Sequence, residues 1–121
     1  MEGMLKPGSL KDRTIIVTGG GTGLGRSMGK YFLELGANLV ITSRKLDVLN
    51  KAAAEMKQQT GGNVLAVECD VRKYEQVENV IRSAEKEFGQ VHGILNNAAG
   101  NFISPTERLS HRAFDIVVDI V

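Results

Sequence analysis

The chain has 121 residues, enough for one domain and too few for two, and a domain of this size buries roughly two thirds of its unfolded surface. Its 42% hydrophobic and 24% charged residues are those of an ordinary soluble globular protein, and a net charge of +1 without a basic cluster leaves no footprint for nucleic acid. One cysteine permits no internal disulfide and points to a reducing compartment, and no apolar run approaches the roughly 20 residues that span a bilayer, so a cytoplasmic protein with no nucleic-acid or membrane partner is expected.

Residues 1 to about 11 read as an irregular lead-in without signal- or transit-peptide character, with Pro7-Gly8-Ser9 as turn residues. Thr14 to Thr18 then predicts a strand, and its unbroken apolar character suits burial on both faces. It stops at Gly19-Gly20-Gly21-Thr22-Gly23-Leu24-Gly25, after which Leu24, Met28, Phe32 and Leu35 recur at helical spacing as far as Gly36. A strand, a glycine turn and a helix in that order gather backbone N–H groups and the positive end of a helix dipole where no Cβ keeps a ligand away. That arrangement binds phosphate; the competing reading is a glycine-rich surface turn without a ligand. The spacing G-x-G-x-x-G fits none of these glycines, and the P-loop pattern from Gly20 to Ser27 has Arg26 where a lysine is needed. T-G-x-x-x-G-x-G fits throughout, with Thr18, Gly19, Gly23 and Gly25 in the fixed positions.

Asn38 to Thr42 predicts the second strand, followed by Ser43-Arg44-Lys45. The second helix carries Leu46, Leu49, Ala53 and Met56 on one stripe and gives out at Thr60-Gly61-Gly62. Val64 to Glu68 is the third strand, and Tyr74, Val77, Ile81, Ala84 and Phe88 form the stripe of a third helix ended by Gly89. A fourth strand runs from Val91 to Leu95 into Asn96-Asn97-Ala98-Ala99-Gly100. Strands alternating with helices predict an α/β, Rossmann-type, doubly wound parallel sheet of order 3-2-1-4, whose strand ends converge on one crevice. Ser110 to Val121 shows helical spacing at Ala113, Phe114, Val117, Val118 and Val121, so the fold is expected to stop after the fourth strand and part of a helix, leaving strand 4 with an open edge. Residues 1–121 then form one nucleotide-binding domain.

Two positions address the ligand further. The end of the second strand faces the adenosine ribose of a dinucleotide, where NAD calls for a carboxylate, and no acid occurs from Gly36 through Lys45. Arg44 and Lys45 stand there instead and favour the 2′-phosphate of NADP(H), the alternative being a solvated basic pair opening the second helix. Asp70, past the third strand, can cap the third helix, and Cys69 reads as a small buried hydrophobe. His92 and His111 have no companion ligands and read as surface residues.

Thr18, Gly19, Gly23 and Gly25 resemble the cofactor loop of the short-chain dehydrogenase/reductase family, and Asn96 to Gly100 resembles its N-N-A-G segment with one extra alanine. Asn97 to Ser110, with Ser43-Arg44-Lys45 and Cys69-Asp70-Val71-Arg72, is similar to the 2,4-dienoyl-CoA reductases of that family from about residue 10 onward. The resemblance implies that Gly19, Gly20, Gly21, Thr22, Gly23, Leu24 and Gly25 hold the cofactor phosphates. Asp70 with Val71 would hold the adenine, and Asn97, Ala98 and Ala99 would lie along the ribose and nicotinamide. Arg44 and Arg72 would meet coenzyme A phosphates or the cofactor, while Asn101, Phe102 and Ser110 would line the acyl-CoA path; Phe102 as a core aromatic and Ser110 as a helix cap stay open beside this. His92 departs from the aspartate common before the family's fourth strand. The family's catalytic tyrosine and lysine have no counterpart in the 121 residues, since Tyr31 and Tyr74 lie on predicted core stripes without lysine at the family spacing. What is implied is the cofactor-binding half of an NADPH-dependent acyl-CoA reductase, a homotetramer when full length. A non-catalytic nucleotide-binding module and a carbonyl or alcohol substrate are the alternatives.

Overall fold

Every residue of Thr14–Thr18 is buried, and this run, β1, is the middle strand of a five-stranded parallel sheet. The computed structural model describes residues 8–21, 23–96 and 116–119. After β1 come α1 (Gly23–Glu34), β2 (Asn38–Ser43), α2 (Leu46–Thr60), β3 (Val64–Glu68), α3 (Tyr74–Phe88), β4 (Gly93–Asn96) and β5 (Ile116–Asp119). The sheet order is β3-β2-β1-β4-β5, so the expected 3-2-1-4 arrangement is present with one strand added.

Alternation along β1 and β2 divides the core in two, because successive side chains of a strand point to opposite faces. Ile15, Val17, Leu39 and Ile41 pack with Phe32 and Leu33 of α1 and Leu49 and Met56 of α2. Ile16 and Val40 pack on the other face with Val77, Val80, Ile81 and Ala84 of α3. Helices on both faces explain why β1 and β2 read as continuous apolar runs. Leu24 is 52% exposed, Leu46 39% and Tyr74 47%, so three residues expected on core stripes face solvent; each lies in the first turn of its helix.

The last helix expected from Ser110 to Val121 is corrected over part of its length. Residues 116–119 form β5, paired parallel with β4 in the register Ile94↔Val117 and Leu95↔Val118. Ile116-Val117-Val118 is a β-branched run, stiff in a helix and suited to a pleated surface, and the free N–H and C=O groups along β4 offer it a ladder. The edge of β4 is therefore covered, and β5 takes the outer place. The rest of that expected helix lies outside the described residues.

His92 is also corrected. It is partly buried, its N–H donates to the Thr14 carbonyl at 2.8 Å, and its Nδ1 accepts the Thr14 N–H at 3.0 Å. The imidazole thus joins the start of β1 to the entry of β4, with its proton on Nε2.

Candidate functional site

A parallel sheet puts the C-terminal ends of β1, β2 and β3 and the N-terminal ends of α1, α2 and α3 at one edge. A cleft of about 310 Å³ opens there, lined by Gly19, Gly21, Ser43, Arg44, Lys45 and Val48. The Gly19 N–H donates to the Thr42 carbonyl at 2.7 Å, and the buried Thr18 hydroxyl reaches the Leu95 carbonyl at 3.4 Å. These bonds tie the glycine turn to β2 and β4, and α1 starts directly behind it with its first-turn amides unpaired within the helix.

Two glycines are needed for different reasons. A Cβ on Gly20 would sit 2.6 Å from Ile41 Cγ2, so the turn can lie on β2 only without a side chain. Gly23 has open space around it but φ +58°, a left-handed backbone in which a Cβ is strained. Arg26 is turned away to Glu55 of α2 at 2.9 Å, which removes the P-loop reading along with the missing lysine.

Arg44 and Lys45 are exposed at the mouth, and among the described residues neither is held in an ion pair. The Lys45 N–H donates to Ser43 Oγ at 3.2 Å, a local turn that sets the direction of the basic pair. Lys45 is also the N-cap residue of α2, so the pair both opens the helix and lines the cleft.

Asp70 and Arg72 form a unit of their own. Arg72 Nε donates to Asp70 Oδ1 at 3.0 Å and Nη2 to Oδ2 at 2.9 Å, while the Arg72 main-chain N–H donates to Oδ1 at 3.0 Å. These bonds, and more weakly the charge of Arg44, hold the Asp70 carboxyl well below the usual carboxylate range. The capping alternative for Asp70 is corrected: Lys73 occupies the N-cap position of α3 and makes no side-chain capping bond. Cys69 is buried, and desolvation pushes its thiol up; Asp70 adds to this, and the Thr42 hydroxyl opposes it.

The structure thus brings Gly19, Gly20, Gly21, Gly23, Leu24, Gly25, Arg44, Lys45, Asp70, Val71 and Arg72 to one edge. Thr22, Asn97, Ala98, Ala99, Asn101, Phe102, Ser110 and His111 lie outside the described residues. Sequence reasoning missed Ser43 and Val48 as lining and Gln76, whose Oε1 accepts the Asp70 N–H at 2.8 Å. A glutamine in the first turn of a helix, reaching back toward the chain before it, is a capping-type signal that could have found the last.

The residues present fit a dinucleotide: a glycine turn that lies flat only without side chains, a helix N-terminus behind it, and free cations where a carboxylate is absent. Comparison with known proteins agrees. A family model described as short chain dehydrogenase matches residues 13–121. An uncharacterized oxidoreductase of Caenorhabditis elegans is 47% identical over 97% of this chain and 38% of its own length. A probable 2,4-dienoyl-CoA reductase of the same organism is 40% identical over 98% of this chain and 38% of its own. The chain thus spans well under half the length of these curated relatives. Among solved structures, a citronellol catabolism dehydrogenase of Pseudomonas aeruginosa aligns over 92% of this chain and 46% of its own with TM-score 0.76 and 34% identity. An L-sorbose reductase of Gluconobacter frateurii complexed with NADPH aligns with TM-score 0.71 and 29% identity over 81% of this chain and 39% of its own. A 3-ketoacyl-(acyl-carrier-protein) reductase of Brucella melitensis complexed with NADH does so with TM-score 0.68 and 34% identity over 74% and 35%. Such neighbours bind either nicotinamide nucleotide.

Proposed function

The chain belongs to the short chain dehydrogenase family of oxidoreductases, and from that premise we propose that it is the cofactor-binding part of an NADPH-dependent reductase of unsaturated fatty acyl-CoA. The observation that carries the cofactor choice is the end of β2, where Arg44 and Lys45 line the cleft and no acid occurs from Gly36 to Lys45. The glycine turn and the start of α1 hold the pyrophosphate, Arg44 and Lys45 take the 2′-phosphate, and Asp70 accepts from the adenine amino group. When bound, the nicotinamide supplies hydride. Asn97, Ala98 and Ala99 are proposed to lie along its ribose.

The substrate class rests on the similarity to a probable 2,4-dienoyl-CoA reductase and on cations at the mouth of the cleft, which suit an anionic thioester. Arg72 keeps 68% of its side chain exposed despite its pairing with Asp70, and so can meet a phosphate. Asn101, Phe102 and Ser110 are proposed to line the acyl path. The working assembly is proposed to be a homotetramer in the cytoplasm; among the described residues no helix is long and apolar enough to cross a membrane.

Calorimetric titration of NADPH and NADH against the wild type and Arg44→Ala tests the reading. At about 1.5–3 kcal/mol for hydrogen bonds to charged groups, the wild type should prefer NADPH by roughly tenfold to a hundredfold, and the variant should lose most of this. Equal preference in both proteins would remove Arg44 from the argument. For the substrate, a 2,4-dienoyl-CoA should bind in the presence of NADPH and weaken several-fold in Arg72→Ala; binding of simple ketones in its place would move the reading to a carbonyl reductase.

A further inference from the structure

Asp70 follows Cys69, whose N–H donates to the carbonyl of Ser43 at 2.8 Å, and so is tied next to a residue that lines the cleft. Nearly all its polar atoms are engaged by the chain itself. The Asp70 N–H is held by Gln76 Oε1 at 2.8 Å, and its carbonyl accepts the Lys73 N–H at 2.9 Å. Oδ1 accepts two donors from Arg72, its main-chain N–H and Nε, and Oδ2 accepts one, Nη2. A carboxylate offers about four acceptor positions, so among the described residues one is left without a donor, on Oδ2. A group held at this many points is rigid, and one open acceptor takes a ligand with one N–H to give.

We propose that Gln76 is a positioning residue for the nucleotide base: by gripping the Asp70 main chain from α3, it fixes the single open acceptor of Asp70 and makes the site select a 6-amino purine over a 6-oxo purine. The inference rests on the dinucleotide reading above. A 6-oxo base presents an oxygen to that acceptor and is repelled, whereas an exocyclic amino group donates to it. Selection of this kind needs a fixed carboxylate, since a mobile one could turn away from the wrong base.

The test compares NADPH with its hypoxanthine analogue, which carries the same charge, by equilibrium titration of the 121-residue chain. Wild type should prefer the adenine form by about tenfold, the size of one hydrogen bond to a charged group. Gln76→Met, close in volume but without the acceptor, should bring that ratio to about threefold or less; Gln76→Glu, which still accepts the N–H, should keep it. An unchanged ratio in Gln76→Met would overturn the inference and leave the dinucleotide reading intact. So would equal losses for both nucleotides in that variant, which mark a purely structural contact. Failure of the wild type to bind either nucleotide would overturn the dinucleotide reading and this inference with it.

Discussion

Replacing Gly20 by alanine should be more damaging than replacing Gly23, although Gly23 has the unusual backbone. A Cβ added at Gly20 would lie 2.6 Å from Ile41 Cγ2, 2.7 Å from Ile41 Cβ and 3.2 Å from the Val17 carbonyl oxygen. Ordinary contact begins near 3.4 Å, so the turn and β2 must separate by most of an ångström. Rotation of Ile41 cannot supply this, because its Cβ is itself in the way and the side chain is fully buried. Overpacking costs about 1–3 kcal/mol, and the rigid neighbour puts this site near the top of the range. Gly23→Ala meets nothing within 4 Å and incurs only the left-handed backbone strain, about 1–2 kcal/mol, less for Gly23→Asn. Urea unfolding followed by circular dichroism should therefore rank Gly20→Ala as most destabilised, then Gly23→Ala, then Gly23→Asn. In thermal melts the first should fall by roughly 10 °C for a chain of this size. Ile41→Ala in the Gly20→Ala background should give only partial relief, since the Cβ at 2.7 Å remains. Gly20→Ala no worse than Gly23→Ala would refute the close approach of the turn to β2.

His92 should make stability depend on pH. Burial, with a smaller contribution from the charge of Arg13, holds its pKa below the ordinary histidine value, so the folded chain binds fewer protons than the unfolded one. Its contribution is present above about pH 6.5 and is lost as pH falls below that, because a proton on Nδ1 removes the acceptor for the Thr14 N–H. His92→Asn, which keeps an acceptor that does not titrate, should flatten melting temperature between about pH 5 and 7.5; an unchanged slope would exclude His92 as its source. Cys69, buried with its thiol pKa raised, should react with a thiol reagent at neutral pH at least about a hundredfold more slowly in the native chain than in urea. Equal rates would place it at the surface.

The four alternating strands and three helices were legible because each helix carries one stripe and each strand one apolar run, and those are the patterns that two-faced burial of a parallel sheet requires. The segment at 116–119 was not, since Val117, Val118 and Val121 satisfy a helical spacing while Ile116-Val117-Val118 equally satisfies a strand, and the open ladder of β4 favours the strand. His92 was misjudged for a related reason: a lone polar residue before a strand gives no sign of a main-chain donor 78 residues away. In the site, the glycine spacing and the missing acid at the end of β2 were readable as sequence. The pairing of Asp70 with Arg72 was not, because a side-chain bond within a turn has no periodicity to betray it, and for Gln76 the one signal was its place in the first turn of a helix.

The electrostatics of the edge support the proposed choice of NADPH. Three helix N-termini meet there, and each carries the positive end of a dipole. Asp47 in the first turn of α2 and Glu75 in the first turn of α3 offset two of them, but α1 has no acid in its first turn. The uncompensated end is the one behind the glycine turn, where a ligand can come closest to the backbone. Among the described cations of this edge, Arg72 is paired with Asp70 and Arg26 with Glu55, whereas Arg44 and Lys45 are held in no ion pair. The start of α1 and the basic pair are thus two positive centres at the same cleft, and a ligand with two separate anionic groups would match both. NADH brings only its pyrophosphate. NADPH brings the pyrophosphate and a 2′-phosphate, and under the proposed function the second of these is the group that Arg44 and Lys45 would bind.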